Sequence, residues 1–264
     1  MPVPGVQRQP VPLTASLRAG RTVSVASCNP AGYTPDLIDY LGPSGLDGVW
    51  IETEHGTPDF QDIANLSRAA DLWNMASVVR IHQNDPGLIG RILDCGASGV
   101  VVPHVSTREE AERVVRGGRF APAGMRGMYG GRRAYGVPES YSRANDEVCL
   151  VVLIEEREAL DNLDEILTVD DIDVFQVAPS DLAQTLGHIG HAEHPDVQAA
   201  IDGAIARIVA AGRTAGMVTN EGNRERYMRQ GVRFVYGSIL RSLMKGATEF
   251  RQAVAARNGG ERGA

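Results

Sequence analysis

The sequence predicts an α/β protein built as a closed (β/α)8 barrel in one domain. Three observations carry that reading. Eight short apolar segments alternate along the chain with segments of helical period. The strands are apolar throughout, as expected when both faces of a parallel sheet are covered. A length of 264 residues suits one barrel, which typically takes ~250. An open doubly wound sheet is the alternative, but no Gly-x-Gly-x-x-Gly follows the first strand to support it.

The elements follow in order. Residues 1–16 hold several prolines and read as an N-terminal arm, with a short helix possible from Leu13 to Ala19. The barrel spans 17–256. Its first strand is Thr22–Ser27, followed by a helix from Pro35 to Leu41, where proline suits an early helical position and Gly42 the end. Gly48–Ile51 is the second strand. Asp59–Trp73 is a helix with Phe60, Ile63, Leu66 and Ala70 on one face. Ser77–Arg80 is a strand, and Asp85 caps a helix through Leu93. Gly99–Pro103 is a strand, and Thr107 caps a helix through Val115, with Glu110 completing a capping box. Then come strand Val148–Ile154, helix Ala159–Leu167, strand Val174–Val177, helix Pro195–Ala211, strand Ala215–Val218, helix Glu221–Gln230, strand Phe234–Tyr236 and helix Ser238–Ala256. The tail, 257–264, is Gly-rich and charged. The long stretch Gly117–Tyr141 is too extended for an idle connection and reads as an active-site loop; its Arg126, Arg132 and Arg133 suit an anionic substrate tail or simply a solvated surface.

Composition excludes several classes. A net charge of −7 argues against a nucleic-acid surface. Cys28, Cys95 and Cys149 lack the spacing of a disulfide framework or a metal site, which points to a reducing compartment. The opening Met-Pro-Val-Pro-Gly lacks the features of a signal peptide, and no apolar run nears the ~20 residues of a membrane span, so a cytoplasmic protein without a membrane partner is expected.

In a barrel the carboxyl ends of all strands meet at one rim, where chemistry resides. This rim would gather Ser27, Cys28 and Asn29; Glu52, Glu54 and His55; Arg80 and His82; Pro103 and His104; Glu155 and Glu156; Ser180 and Asp181; Thr219 and Asn220. Glu155 and Asp181, on neighbouring strands, can share a hard divalent cation and leave positions open for a substrate that chelates through two oxygens, such as a 2-oxo acid. Arg80 would steady an enolate or a carboxylate, and His55 would move a proton. Each has a plainer reading. A strand-end carboxylate also serves as a helix cap or salt-bridge partner, and Glu54 suits a cap of the following helix. His82, His104, His188, His191 and His194 suit surface or structural roles, and Cys28 a small buried side chain.

Five motifs in register, Trp50-Ile-Glu-Thr-Glu-His-Gly56, Val78-Val-Arg80, Pro122-Ala-Gly-Met-Arg-Gly127, Ile154-Glu155 and Ala178-Pro-Ser-Asp-Leu182, resemble the HpcH/HpaI family of class II, metal-dependent 2-keto acid aldolases, as does His194-Pro-Asp-Val-Gln-Ala-Ala-Ile201. The resemblance runs from about Leu17 to about Ala255. It implies Glu155 and Asp181 as ligands of a divalent cation (Mg2+, Mn2+ or Co2+) and His55 as the acid–base group, held by Asp94. It implies Arg80 at the keto-acid oxygen, backbone N–H groups around Ser180 and Asp181 at the carboxylate, and Val218 as a wall of the aldehyde pocket. It further implies a last helix exchanged between protomers, a hexamer, and small-molecule substrates. The implied reaction is reversible cleavage of a 4-hydroxy-2-oxo acid to pyruvate, or a related 2-oxo acid, plus an aldehyde, through a metal-bound enolate.

The chain departs from that pattern at three places. Glu52-Thr53 stands where the family has Asp-Gly, Leu153 where it has Gln, and Ala178 where it has Gly. All three surround the half of the site that would hold the 2-oxo acid. They motivate one other reading, a non-catalytic 2-oxo acid-binding barrel; a further alternative, decarboxylation of an oxaloacetate-type β-keto acid, needs the same metal and Arg80 but no base at the C4 hydroxyl.

Overall fold

The computed structural model describes residues 12–27 and 33–260, with backbone only for 257–260. Most of the arm, the far end of the tail, Cys28 and Asn29 lie outside the described residues. Eight parallel strands close on themselves in sequence order: β1 (Val23–Ser27), β2 (Gly48–Glu52), β3 (Ala76–Arg80), β4 (Gly99–Val102), β5 (Cys149–Ile154), β6 (Val174–Val177), β7 (Ala215–Thr219) and β8 (Phe234–Ser238). β8 pairs with β1 from Val23 opposite Phe234 to Ser27 opposite Ser238, which removes both sheet edges. The (β/α)8 barrel is thus observed as expected.

The pleat explains why each strand is apolar on both sides. Successive side chains alternate between the barrel interior and the helical layer. On β5, Cys149, Val151 and Leu153 join the interior cluster, while Leu150, Val152 and Ile154 pack outward. On β2, Trp50 faces in and Val49 and Ile51 face out.

The helices start where capping chemistry places them. Thr34 caps α2 (Pro35–Leu41), Asp59 forms a capping box on α3 (Phe60–Leu72), Asp85 caps α4 (Pro86–Asp94), and Thr107 with Glu110 caps α5 (Arg108–Gly118). α1 (Leu13–Arg18) takes up the end of the segment read as an arm. Its Leu13 and Leu17 are buried in the barrel's interior cluster, beneath the amino ends of the strands. α6 (Ser140–Glu147) lies where the sequence pattern marks no helix, and it buries none of its residues. The helix expected over Ala159–Leu167 is two short ones, α7 (Arg157–Asp161) and α8 (Leu163–Ile166). α9 (Pro179–Thr185) opens directly after β6, and α10 (Pro195–Ala210), α11 (Arg224–Arg229) and α12 (Ile239–Gly260) complete the chain.

The stretch Gly117–Tyr141 is placed differently from expectation. It joins α5 to β5, so it runs at the amino end of the barrel, opposite the catalytic rim. Arg126 bonds Asp94 at 2.8 Å, and Arg132 and Arg133 pair with Asp71. Within the protomer these arginines hold loop to helix rather than facing a substrate. Length alone suggests an active-site loop, but a segment that follows a helix and precedes a strand belongs to the other face.

One buried cation organises that face. Arg119, 1% exposed, donates to the carbonyls of Asn145 (2.6 Å), Val148 (2.7 Å) and Asp171 (2.6 and 3.1 Å) and to Asp173 Oδ2 (2.7 Å). Burial pushes the Asp173 carboxyl up, and the Arg119 charge opposes that rise. Removing one partner of such a pair strands the other, at a cost of ~3–5 kcal/mol. Arg119→Met should therefore lose stability of that order in urea unfolding, while a Glu109→Gln control on exposed helix surface should stay within about 0.5 kcal/mol.

Candidate active site

The rim is assembled from β2 outward. Glu52, the last residue of β2, is 3% exposed, and its carboxylate is fully engaged. Oε2 accepts from the Trp50 indole at 3.2 Å; Oε1 accepts from the backbone N–H groups of Glu54 (2.9 Å) and His55 (3.3 Å). Glu52 thus folds the Glu54–His55 turn back over the strand end. Gly56 closes this turn so tightly that an added Cβ would overlap the Glu52 carbonyl oxygen. The longer side chain at position 52 is here a structural anchor. Trp50 in turn packs on Tyr236, with ring centroids 4.5 Å apart.

Arg80 ends β3 with its guanidinium among three carboxylates. It forms an ion pair with Glu54 and lies 3.5 Å from Glu52 Oε2 and 3.7 Å from Glu155 Oε2. Glu54 is therefore a rim residue, and the cap of α3 is Asp59 instead. His55 is 64% exposed, with Nε2 4.0 Å from Glu54 Oε2.

Glu155 follows β5 and is 1% exposed. Its Oε1 accepts from the His104 backbone N–H at 2.8 Å, whereas Oε2 is buried without a hydrogen bond. Burial pushes the Glu155 carboxyl up; the His104 N–H and the Arg80 charge pull it back, and the charge of Asp181 adds to the rise. Asp181 stands in the first turn of α9. A buried carboxylate oxygen without a hydrogen bond, with the charge of Asp181 acting on it, is a hard-oxygen donor set that fits a divalent cation of the Mg2+ or Mn2+ type.

The sequence suits His104 to a surface or structural role, but in the structure it stands among these acids. It adopts φ 55°, and its ring lies 3.6 Å from Glu54 Oε1, 3.6 Å from Glu155 Oε1 and 2.8 Å from Glu156 Oε1. Burial would lower its pKa, but the Glu156 hydrogen bond and the surrounding carboxylate charges outweigh that and raise it. Its place after the Val100–Val102 run is visible in the sequence; the left-handed backbone that turns it among the acids is not.

His55, Arg80, Leu153, Ala178, Ser180, Asp181 and Val218 line one cavity of about 450 Å3 at this rim. Glu155 adjoins it through Arg80 and Asp181. Asp94 is the exception among the expected site residues. It ends α4 at the amino face of the barrel and bonds Arg126, so within a protomer it does not meet His55. Away from the rim, His188 stacks on His194 at 3.7 Å, and His194 Nδ1 accepts the Asp196 N–H as the cap of α10. This is the structural role that the sequence suggests.

Residues 29–241 match the HpcH/HpaI aldolase/citrate lyase family. The chain belongs to that family. The 4-hydroxy-2-oxo-heptane-1,7-dioate aldolase of Shigella flexneri is 36% identical over 251 residues, covering 93% of this chain and 92% of that one. The pyruvate aldolase of Rhizobium etli is 39% identical over 207 residues, 77% and 80% of the two chains. The crystal structure of an HpcH/HpaI aldolase from Desulfitobacterium hafniense superposes with a TM-score of 0.85 at 27% identity, covering 92% of this chain and 96% of that one. The chain is thus an aldolase, a carbon–carbon lyase of a metal-dependent family. Among the described residues no helix is long and apolar enough to cross a membrane.

If this aldolase holds its cation through Glu155, Glu155→Gln should weaken Mn2+ binding by at least the roughly 10–100-fold seen when mere supporting groups are removed. Calorimetric titration with Mn2+ measures this, and an unchanged affinity would exclude Glu155 as a ligand.

Proposed function

We propose that this aldolase reversibly cleaves a 4-hydroxy-2-oxo acid into pyruvate, or a related small 2-oxo acid, and an aldehyde. The observation that carries the reading is the buried Glu155, whose Oε2 has no hydrogen bond and lies 3.7 Å from Arg80 while the charge of Asp181 acts on it, on the rim that also bears His55. A divalent cation held by Glu155 and Asp181 (Mg2+ or Mn2+, with Co2+ a further candidate) supplies Lewis acidity toward the 2-oxo group.

The chain's own groups do the rest. The backbone N–H groups around Ser180 and Asp181 hold the substrate carboxylate; Ala178, the residue before α9, offers them no side-chain cap. Ala178 and Leu153 shape the wall around the 2-oxo acid, and Val218 forms an apolar wall on the aldehyde side. His55 takes the proton from the C4 hydroxyl, the C3–C4 bond breaks, and the aldehyde departs. Arg80, already balancing three carboxylates, turns its guanidinium to the oxygen of the enolate that remains. Protonation at C3 then gives the 2-oxo acid.

The second reading, decarboxylation of an oxaloacetate-type β-keto acid, is favoured by one feature. Glu155 is buried and the Arg80 side chain nearly so, whereas His55 is largely exposed. Decarboxylation needs no base at C4. His55→Ala should therefore lower aldol cleavage by ~10²–10⁴-fold and leave oxaloacetate decarboxylation nearly unchanged. Undiminished cleavage would remove His55 from the mechanism. A panel of 4-hydroxy-2-oxo acids, assayed for released 2-oxo acid with and without chelator, identifies the substrate.

The assembly is part of the same proposal. α12 exposes Leu243, Met244, Phe250 and Val254, and a cavity of about 600 Å3 borders its first turns, lined in part by Val25, Leu46, Met228, Val235 and Ile239. Exchange of this helix between protomers would bury those side chains and build the expected hexamer. Pairing of Asp94 with His55, which a protomer cannot make alone, belongs to such an assembly. Phe250→Glu should accordingly reduce the mass seen by sedimentation velocity, whereas a monomeric wild-type protein would exclude the exchange.

A further inference from the structure

The floor of the rim cavity holds a polar group that the reaction scheme above does not use. Gln176 is 2% exposed, lines the cavity, and its Oε1 is buried with no hydrogen-bond partner. A buried amide left unsatisfied is costly and calls for a partner. The surrounding floor is mostly apolar: Leu153 lies directly beside Gln176 on β5, and Gly216 beside it on β7. Gly216 keeps that place open, since an added Cβ would stand 3.0 Å from the Gln176 Cβ and 2.9 Å from Val174.

The pleat sets which half of the substrate this amide can reach. Alternate residues of a strand share a face, so Gln176 lies one layer below Ala178, and Leu153 one layer below Glu155. Gln176 therefore sits beneath the Glu155–Asp181 corner. Its amide can turn over, presenting either the carbonyl oxygen or the NH2 group upward.

We propose that Gln176 is a substrate-binding residue that hydrogen-bonds an oxygen of the 2-oxo acid from below and so governs affinity for that half of the substrate. The proposal rests on the aldolase reading above. Gln176 brings a neutral donor to a carboxylate or keto oxygen, whereas Leu at that position would leave the oxygen without a partner in an apolar floor. An amide at position 153 would stand at the same depth, one strand spacing (about 4.8 Å) away.

The test is pyruvate and oxalate binding to the full-length protein with saturating Mn2+, measured by calorimetry, alongside KM values in the aldol direction. Gln176→Leu should bind both acids about tenfold more weakly and raise KM for the 2-oxo acid but not for the aldehyde. Its melting temperature should hold or rise, because an unsatisfied buried polar group has gone. Gln176→Glu should bind more weakly still, through charge repulsion. The double variant Gln176→Leu with Leu153→Gln should recover most of the affinity. Wild-type affinity in folded Gln176→Leu would overturn the proposal and leave the aldolase reading intact. If the wild-type protein binds neither acid, the aldolase reading fails and Gln176 loses its role with it. Should Gln176→Leu not fold, Gln176→Asn, which keeps the amide but withdraws it by one methylene, takes its place: weakened binding supports the role, and unchanged binding overturns it.

Discussion

The rim depends on one guanidinium. Arg80 stands among Glu52, Glu54 and Glu155, all of them largely removed from water. Burying several carboxylates together is unfavourable unless cations or N–H groups answer them. Glu52 is answered by the Trp50 indole and two backbone N–H groups, and half of Glu155 by the His104 N–H. What remains is shared by Arg80 and the His104 ring, which lies 3.6 Å from both Glu54 Oε1 and Glu155 Oε1. Glu155 Oε2 still has no hydrogen bond, with Arg80 3.7 Å away, and the negative charge of Asp181 acts on it. The corner is therefore short of positive charge in a defined place. A divalent cation of the kind this metal-dependent family uses would answer that deficit.

That deficit ties the fold to the chemistry. β2, β3, β5 and β6 each deliver one or two of the groups involved, and only barrel closure brings their carboxyl ends around a single cavity. The interior below is tightly filled by Val78, Val101, Val151, Val174 and Phe234, with Leu13 and Leu17 of α1 at the amino end. This dry plug keeps water from reaching the carboxylates from beneath, which strengthens every charge interaction at the rim. The arrangement explains why α1, the short helix that the sequence allows at Leu13–Ala19, is packed into the structure.

Much of this is legible in the sequence. Strand positions follow from apolar segments bounded by glycine and proline, and capping residues mark the starts of α4 and α5 at Asp85 and Thr107. Because barrel strands end on one face, Arg80, Glu155 and Asp181 can be gathered from strand order alone. Where expectation and structure differ, the cause is shared: the differences concern direction rather than identity. The role of Glu52 depends on where its carboxylate turns, that of His104 on a left-handed φ, and that of Gly117–Tyr141 on which barrel face it joins. The last is decidable from element order, since the stretch follows a helix.

The three departures from the family pattern are not equivalent, and local geometry separates them. Glu52 is compensated on the spot, because its extra methylene reaches the Trp50 indole while the carboxylate still holds the His55 turn. Ala178 is 8% exposed and immediately precedes the first turn of α9. Leu153 removes a hydrogen-bonding group from the floor, yet Gln176 stands opposite it in register with an oxygen to spare. Glu52 thus keeps the turn that carries His55, and Gln176 is placed where it would stand in for the amide absent at Leu153. The combined pattern fits a working 2-oxo acid site with altered preferences, and it weighs against a barrel retained only as a scaffold.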